Sequence, residues 1–219
     1  MKCKGFLFDL DGTLVDSLAV VELAWKNWGE RHGIAADELL NFIHGKQAIT
    51  SLRHFMAGAS AQEIQQEFIE LEKMEAGDTE GLVAMPGALQ LLATLDELAI
   101  PWAIVTSGSV PVASSRHAAA RLPAPLAFVT AERVERGKPE PDAYLLGARL
   151  IDLEPEECVV VEDAAAGILS GLAAGCHVIA VNPPEEAQRL EDVDMVLSSL
   201  EELIIHKNAD GSVNIYRRH

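Results

Sequence analysis

The sequence is poor in positive charge. It holds 17 Lys and Arg against 34 Asp and Glu, a formal net charge of −17. Nucleic acid or an anionic membrane surface is therefore not expected as the main partner. An anionic substrate would need a local positive site or a bound cation to overcome the overall field. Cysteine is also scarce. Cys3, Cys158 and Cys176 form no close-spaced pair. That argues against a disulfide framework or a cysteine metal site, and reads as reduced, mostly buried thiols of a cytoplasmic protein. No apolar run approaches membrane-spanning length. The apolar stretch near the N-terminus is short and broken by Asp9 and Asp11, so no secretory leader is expected. Internal repeats and low-complexity segments are missing too. What is there is 219 residues with 49% hydrophobic content, enough for one large domain or one domain with a small insert.

The pattern divides the chain. "KGFLFDLDG" reads as a short buried strand and a turn. Residues 17–32 then carry Leu18, Val21, Ala24/Trp25 and Trp28 at helical spacing, with Asp16 or Ser17 as N-cap and Gly33 as the stop. Helical patterns continue to residue 76, with Ser60 and Glu63 forming a capping box. No good strand is expected between residue 17 and about residue 82. After a turn at Pro86-Gly87, helices alternate with short apolar strands: "WAIV", "LAFV", "CVVV" and "HVIAV". "EEAQRLED" is expected to be helix, "DMVLSSLEEL" a strand plus a helix start, and the Asp210-Gly211 tail a hairpin. Such alternation predicts an α/β fold with a doubly wound parallel sheet covered by helices on both faces. The core would comprise residues 1–16 and 83–219, and a helical cap domain residues 17–82.

In such sheets ligands bind beyond the carboxyl ends of the strands. Four motifs fall there. The first strand ends at Asp9-Leu10-Asp11-Gly12-Thr13, the next at Thr106-Ser107-Gly108, a loop carries Lys138, and "CVVV" ends at Glu162-Asp163. Crowded carboxylates repel unless a cation or proton separates them. An all-oxygen donor set with room for water and a phosphate oxygen suits Mg²⁺. Gly12 and Gly108 would let backbone N–H groups approach an anion, Ser107 offers a hydroxyl, and Lys138 a point cation for a phosphate oxygen. Taken singly, each motif is ordinary: Asp-x-Asp-Gly-Thr a capped turn, "KPEP" a loop, "ED" a helix start. Their shared edge makes them a phosphate and metal site.

These motifs, "DLDGT" (9–13), "VTSG" (105–108), "GKPEPD" (137–142) and "VVVEDAAAG" (159–167), resemble in order those of the haloacid dehalogenase superfamily of phosphatases. The resemblance spans nearly the whole chain, including a helical cap inserted after the first strand. It is nearest the bacterial sugar and sugar-alcohol phosphatases related to beta-phosphoglucomutase. It implies a cytoplasmic Mg²⁺-dependent hydrolase of small phosphate esters, with sugar or sugar-alcohol phosphates as the substrates; a sugar phosphomutase and a phosphoglycolate-like phosphatase are the alternatives. Asp9 would be the nucleophile and Asp11 the general acid and base. Asp9, Asp163, Glu162 and the Asp11 backbone carbonyl would hold the metal. Leu10, Thr106, Ser107, Gly108 and Lys138 would line the phosphate. The dehalogenase members lack an acid two residues past the nucleophile, so Asp11 argues against dehalogenation. The mutase relatives carry a cap histidine and a cap arginine where Val21 and Ala48 stand here, which favours hydrolysis. Among cap residues, Lys46 is the foremost candidate for substrate contact, ahead of His44, Gln47, Arg53 and His54; Trp25 and Trp28 are expected in the cap core. A monomer or weak oligomer is expected.

Overall fold

The computed structural model describes residues 1–218. The chain opens with β1 (Lys2–Cys3) and β2 (Gly5–Phe8), followed by β3 (Val15–Asp16). Four helices come next: α1 (Leu18–His32), α2 (Ala36–Ile43), α3 (Ala48–Phe55) and α4 (Ala61–Gly77). β4 (Val83–Ala84) then pairs antiparallel with β3, so the helical block leaves and returns through adjacent strands. The rest alternates: α5 (Ala88–Glu97), β5 (Trp102–Val105), α6 (Val110–Ala119), β6 (Ala127–Val129), α7 (Asp142–Leu150), β7 (Cys158–Glu162), α8 (Ala165–Ala173), β8 (His177–Val181) and β9 (Met195–Leu197). β10 (Leu203–Lys207) and β11 (Val213–Arg217) close the chain as a hairpin.

The main sheet is six-stranded and parallel, in the order β6-β5-β2-β7-β8-β9. β2, β5 and β7 are buried along their whole length, which is why they read as unbroken apolar runs rather than alternating ones. Odd and even residues of β2 feed opposite faces. Phe6 and Phe8 pack with Leu91, Leu92, Trp102 and Ile104, whereas Leu7 packs with Val105, Tyr144, Val160 and Ile168. The four-helix block has its own apolar centre of Trp25, Trp28, Leu39, Leu52 and Leu71. β11 also takes β1 as a second partner, making a three-stranded antiparallel sheet.

Two local expectations are corrected. Residues 185–192 do not form a helix; only a 3₁₀ turn at Leu190–Asp192 is present, and Arg189 sits at φ 63°. The segment follows Pro183-Pro184 and buries no apolar stripe, so nothing offsets the cost of helix nucleation. The expected helix start near Leu200 is likewise one 3₁₀ turn, Leu200–Glu202. Ser60 and Glu63 do make their capping box. Ser17 occupies the N-cap of α1 but makes no capping bond. Its hydroxyl goes elsewhere, to Asp11.

Candidate active site

The central strands β5, β2 and β7 end together, and they bring the first, second and fourth motifs to one edge. The Asp9 N–H donates to the Val161 carbonyl at 3.0 Å, which continues the sheet register to the nucleophile candidate. Gly12, at φ 85°, turns the chain; a Cβ there would lie 2.2 Å from Asp163 Oδ2, so only glycine leaves room for that carboxylate. The Thr13 hydroxyl donates to Asp163 Oδ1 at 3.1 Å and thereby orients it.

Lys138 is the centre of the arrangement. It is 2% exposed, and its ammonium donates to Asp9 Oδ1 (2.6 Å), Glu162 Oε1 (2.6 Å) and the Val105 carbonyl (2.9 Å). All three of its protons are thus used. Burial alone would lower its pKa, but the two carboxylates overcome that and hold the ammonium above its ordinary range. Glu162 is fully buried. Its Oε1 also accepts from the Tyr144 hydroxyl (2.7 Å), and its Oε2 accepts from the backbone N–H groups of Asp163 (3.1 Å) and Ala164 (3.2 Å). Each oxygen therefore already has two donors.

Asp9 is pushed up to about 7 by burial first and the Glu162 charge second, with Lys138 opposing. Asp163 is raised well above its usual range by burial and by the charges of Asp9 and Glu162. Ligand oxygens of Asp9, Glu162 and Asp163 lie within 4.8 Å of one another. Protons and cations compete for such a cluster, and hard oxygen donors favour a hard cation. The donor set fits a divalent metal.

Gly167 fixes this geometry from below. A Cβ at that position would sit 1.6 Å from Glu162 Oε1. Gly167→Ala is therefore expected to cost about 2 kcal/mol or more, lowering Tm by roughly 4–8 °C in a chain of this size. A thermal melt checks this, and an unchanged Tm would show that Glu162 is not pinned.

The remaining predicted residues fall as follows. Leu10 is fully buried beneath the loop. The Thr106 hydroxyl accepts from the Gly108 N–H at 3.0 Å, so that N–H is engaged within its own turn. Ser107 donates to the Gly45 carbonyl at 2.9 Å, which ties the loop after α2 to the sheet edge. Gln47 reinforces that closure, donating to the Ala131 carbonyl at 3.1 Å. Lys46 borders the cleft, but its ammonium donates to the Phe42 carbonyl (2.8 Å) and lies 3.6 Å over the Phe42 ring. It is thus engaged with its own helix end rather than with the acidic cluster. His54 stacks on Phe42, Arg53 is exposed, and His44 lies 3.6 Å from Glu22. Trp28 lies in the apolar centre of the four-helix block; Trp25 is also buried there but borders the cleft.

Two cleft residues escaped the sequence reading. Arg116, on α6, is fully buried, and its Nε donates to Asp11 Oδ1 at 2.8 Å. Ser17 Oγ donates to the same oxygen at 2.5 Å. Glu75, near the end of α4, is buried at the cleft wall. In a sequence, an Arg in the last turn of α6 reads as a complement to the helix dipole, and Glu75 as one more acid of an acidic helix.

The family of haloacid dehalogenase-like hydrolases matches residues 3–175. The chain belongs to that family. It is 67% identical over 215 residues to hexitol phosphatase A of Escherichia coli (strain K12), covering 98% of this chain and all of the relative. It is 32% identical over 203 residues to validoxylamine A 7'-phosphate phosphatase of Streptomyces hygroscopicus subsp. limoneus, covering 91% and 95% of the two chains. The fold is shared with the beta-phosphoglucomutase of Clostridium difficile at TM-score 0.83 and 20% identity, over 92% of this chain and 93% of that one. Among the described residues no helix is long and apolar enough to cross a membrane.

Proposed function

We propose that the protein is a Mg²⁺-dependent phosphatase of small phosphorylated metabolites, with hexitol phosphates as its substrate class. The observation that carries this reading is Lys138 buried between Asp9 and Glu162, beside Asp163. The 67% identity to a hexitol phosphatase supports the substrate class.

Asp9, Asp163 and the Asp11 backbone carbonyl would hold Mg²⁺. Glu162, whose oxygens are already saturated, would position Lys138 and reach the metal only through water. When bound, the cation offsets the repulsion between a phosphate ester and the carboxylates. Asp9 Oδ2 has no hydrogen-bond partner among the described residues, so it is the oxygen left to attack phosphorus. As that bond forms, the ester P–O bond breaks and Asp11 delivers its proton to the departing alkoxide. Asp11, now ionised, takes a proton from water. The water oxygen attacks phosphorus, the bond to Asp9 breaks, and inorganic phosphate leaves. Lys138 and Ser107 would balance charge on the phosphoryl oxygens. Arg116 and Ser17 hold Asp11 Oδ1 and leave Oδ2 for proton transfer.

The free volume of the cleft is about 80 Å³, room for a few waters rather than a phosphorylated hexitol. Residues 17–82 would therefore act as a cap that opens, breaking the Ser107–Gly45 and Gln47–Ala131 bonds, and closes over substrate to exclude water. Hydrolysis is favoured over phosphoryl isomerisation because Val21, Ala48 and the acidic Glu75 line the cleft, and none of these would hold a second phosphate. Inorganic phosphate should accumulate in step with consumption of D-glucitol 6-phosphate; isomerised ester with little free phosphate would contradict the reading.

The metal requirement has its own test. Saturating Mg²⁺ at about 100 times its Kd stabilises by about 2.7 kcal/mol, a rise in Tm of roughly 5–10 °C. The sign with pH follows from Asp9, whose carboxyl is raised to about 7 without metal. A carboxyl with a raised folded pKa loses stability as pH climbs from the unfolded value toward the folded one. Metal reverses that loss by displacing protons. The Mg²⁺-induced shift should thus be larger at pH 8 than at pH 5.5; a shift equal at both would place the metal away from Asp9.

A further inference from the structure

The cleft has a half that lies beyond the residues assigned to the phosphoryl group. Arg116 enters it from α6 and Glu75 from α4, with Trp25, Val21 and Ala48 around them. The nitrogens of Arg116 are unequally engaged. Nε is bound to Asp11, and Nη1 donates to the Glu75 backbone carbonyl at 2.9 Å. Nη2 is buried without any hydrogen-bond partner among the described residues. A buried charged donor left unmade is costly and calls for an explanation in a folded protein. Glu75 presents the matching problem. Its side chain is buried with the Trp25 indole beside it, and no ion pair reaches its carboxylate among the described residues. Burial pushes that carboxyl up to about 7, against the pull of Arg116. The two groups thus feel each other's charge without pairing, one on each side of the boundary between helical block and sheet domain.

A hydroxyl group of a molecule in this cleft suits both groups. It accepts from a guanidinium N–H and donates its own hydrogen to a carboxylate. A methylene or an ether oxygen satisfies at most one of the two, and a second phosphate meets the Glu75 charge. We propose that Arg116 Nη2 and the Glu75 carboxylate together bind one hydroxyl of the leaving group, and that this pair makes the enzyme select polyhydroxylated phosphate esters. The proposal rests on the phosphatase reading and deepens it. Arg116 has a second duty in docking α4, since Arg116 Nη1 and the Ser115 hydroxyl satisfy the carbonyls of Glu75 and Ala76 at its C-terminal end (2.9 and 2.7 Å). A test must separate recognition from docking, and Glu75 is the better target because its docking contact is through the backbone.

The experiment compares kcat/KM for D-glucitol 6-phosphate with kcat/KM for 4-nitrophenyl phosphate, whose leaving group has no alcohol hydroxyl. A site built to hydrogen-bond a hydroxyl loses its preference when its partner is removed. In Glu75→Ala the ratio of the two constants should fall by about tenfold or more, chiefly through KM for the hexitol ester. Glu75→Gln, nearly isosteric, should lower the ratio in the same direction and serves if the alanine variant does not fold. A ratio within about threefold of the wild-type value, or an equal fall for both esters, overturns the proposal, the latter pointing to docking alone. Failure of the wild-type protein to turn over either ester would instead sink the phosphatase reading, and the hydroxyl site with it.

Discussion

Asp9→Asn should lower kcat for hexitol phosphate hydrolysis by on the order of 10⁴-fold or more, the scale seen when a covalent nucleophile is removed. The amide is close to isosteric and can still accept from Lys138, so the loss would be chemical rather than a failure to fold. An amide oxygen carries no full negative charge and does not form the acyl phosphate. The substitution also removes a buried carboxyl whose own pKa is raised and whose charge helps raise that of Asp163. Thermal stability without metal should therefore hold or rise while turnover disappears. Retention of turnover within about tenfold of wild type would remove Asp9 from the mechanism. A large fall in Tm alongside lost activity would assign it a structural role instead.

Lys138→Met should damage both stability and activity. The ammonium is enclosed and serves two carboxylates at once, each at 2.6 Å. Removing one partner of a buried ion pair costs about 3–5 kcal/mol because the other charge stays behind unpaired. For a chain of this length that corresponds to a Tm lower by roughly 6–20 °C. The pH dependence distinguishes this cause from simple loss of packing. Without Lys138, the Asp9 carboxyl loses the charge that opposes its rise and is left facing Glu162. Protonation of Asp9 at low pH relieves the repulsion, so the deficit relative to wild type should shrink from pH 8 to pH 5. A deficit equal at both values would mean that lost side-chain volume, not charge, is responsible.

The order of elements and the acidic cluster were legible because their causes are local. Buried central strands such as "FLF" and "VVV" need unbroken apolar runs, and each ends in a carboxylate or hydroxyl whose residue type betrays its chemistry. The capping box at Ser60 and the turn at Asp210-Gly211 were read for the same reason. What escaped depends on contacts far apart in sequence. Arg116 meets Asp11 across 105 residues, and Tyr144 meets Glu162 across two elements. Neither spacing carries a pattern along the chain. The Ser17 hydroxyl was expected to cap a helix, and tertiary geometry diverts it to Asp11. Lys46 looked like a cation for substrate because it follows Gly45, whereas the Phe42 carbonyl and ring sit within its reach. The helix expected at 185–192 failed because local propensity had no buried face to support it.

The central claim is a phosphoryl group carried on Asp9, and trapping it is the most direct test. The protein would be acid-quenched during steady turnover of D-glucitol 6-phosphate in Mg²⁺, then reduced with borohydride and digested for peptide mass analysis. Reduction converts an acyl phosphate of aspartate to homoserine. Homoserine at position 9, dependent on both substrate and Mg²⁺ and absent from Asp9→Asn, is the expected result. An unmodified Asp9 in a sample that is releasing phosphate, or homoserine at Asp11 or Asp163 in its place, would contradict the mechanism.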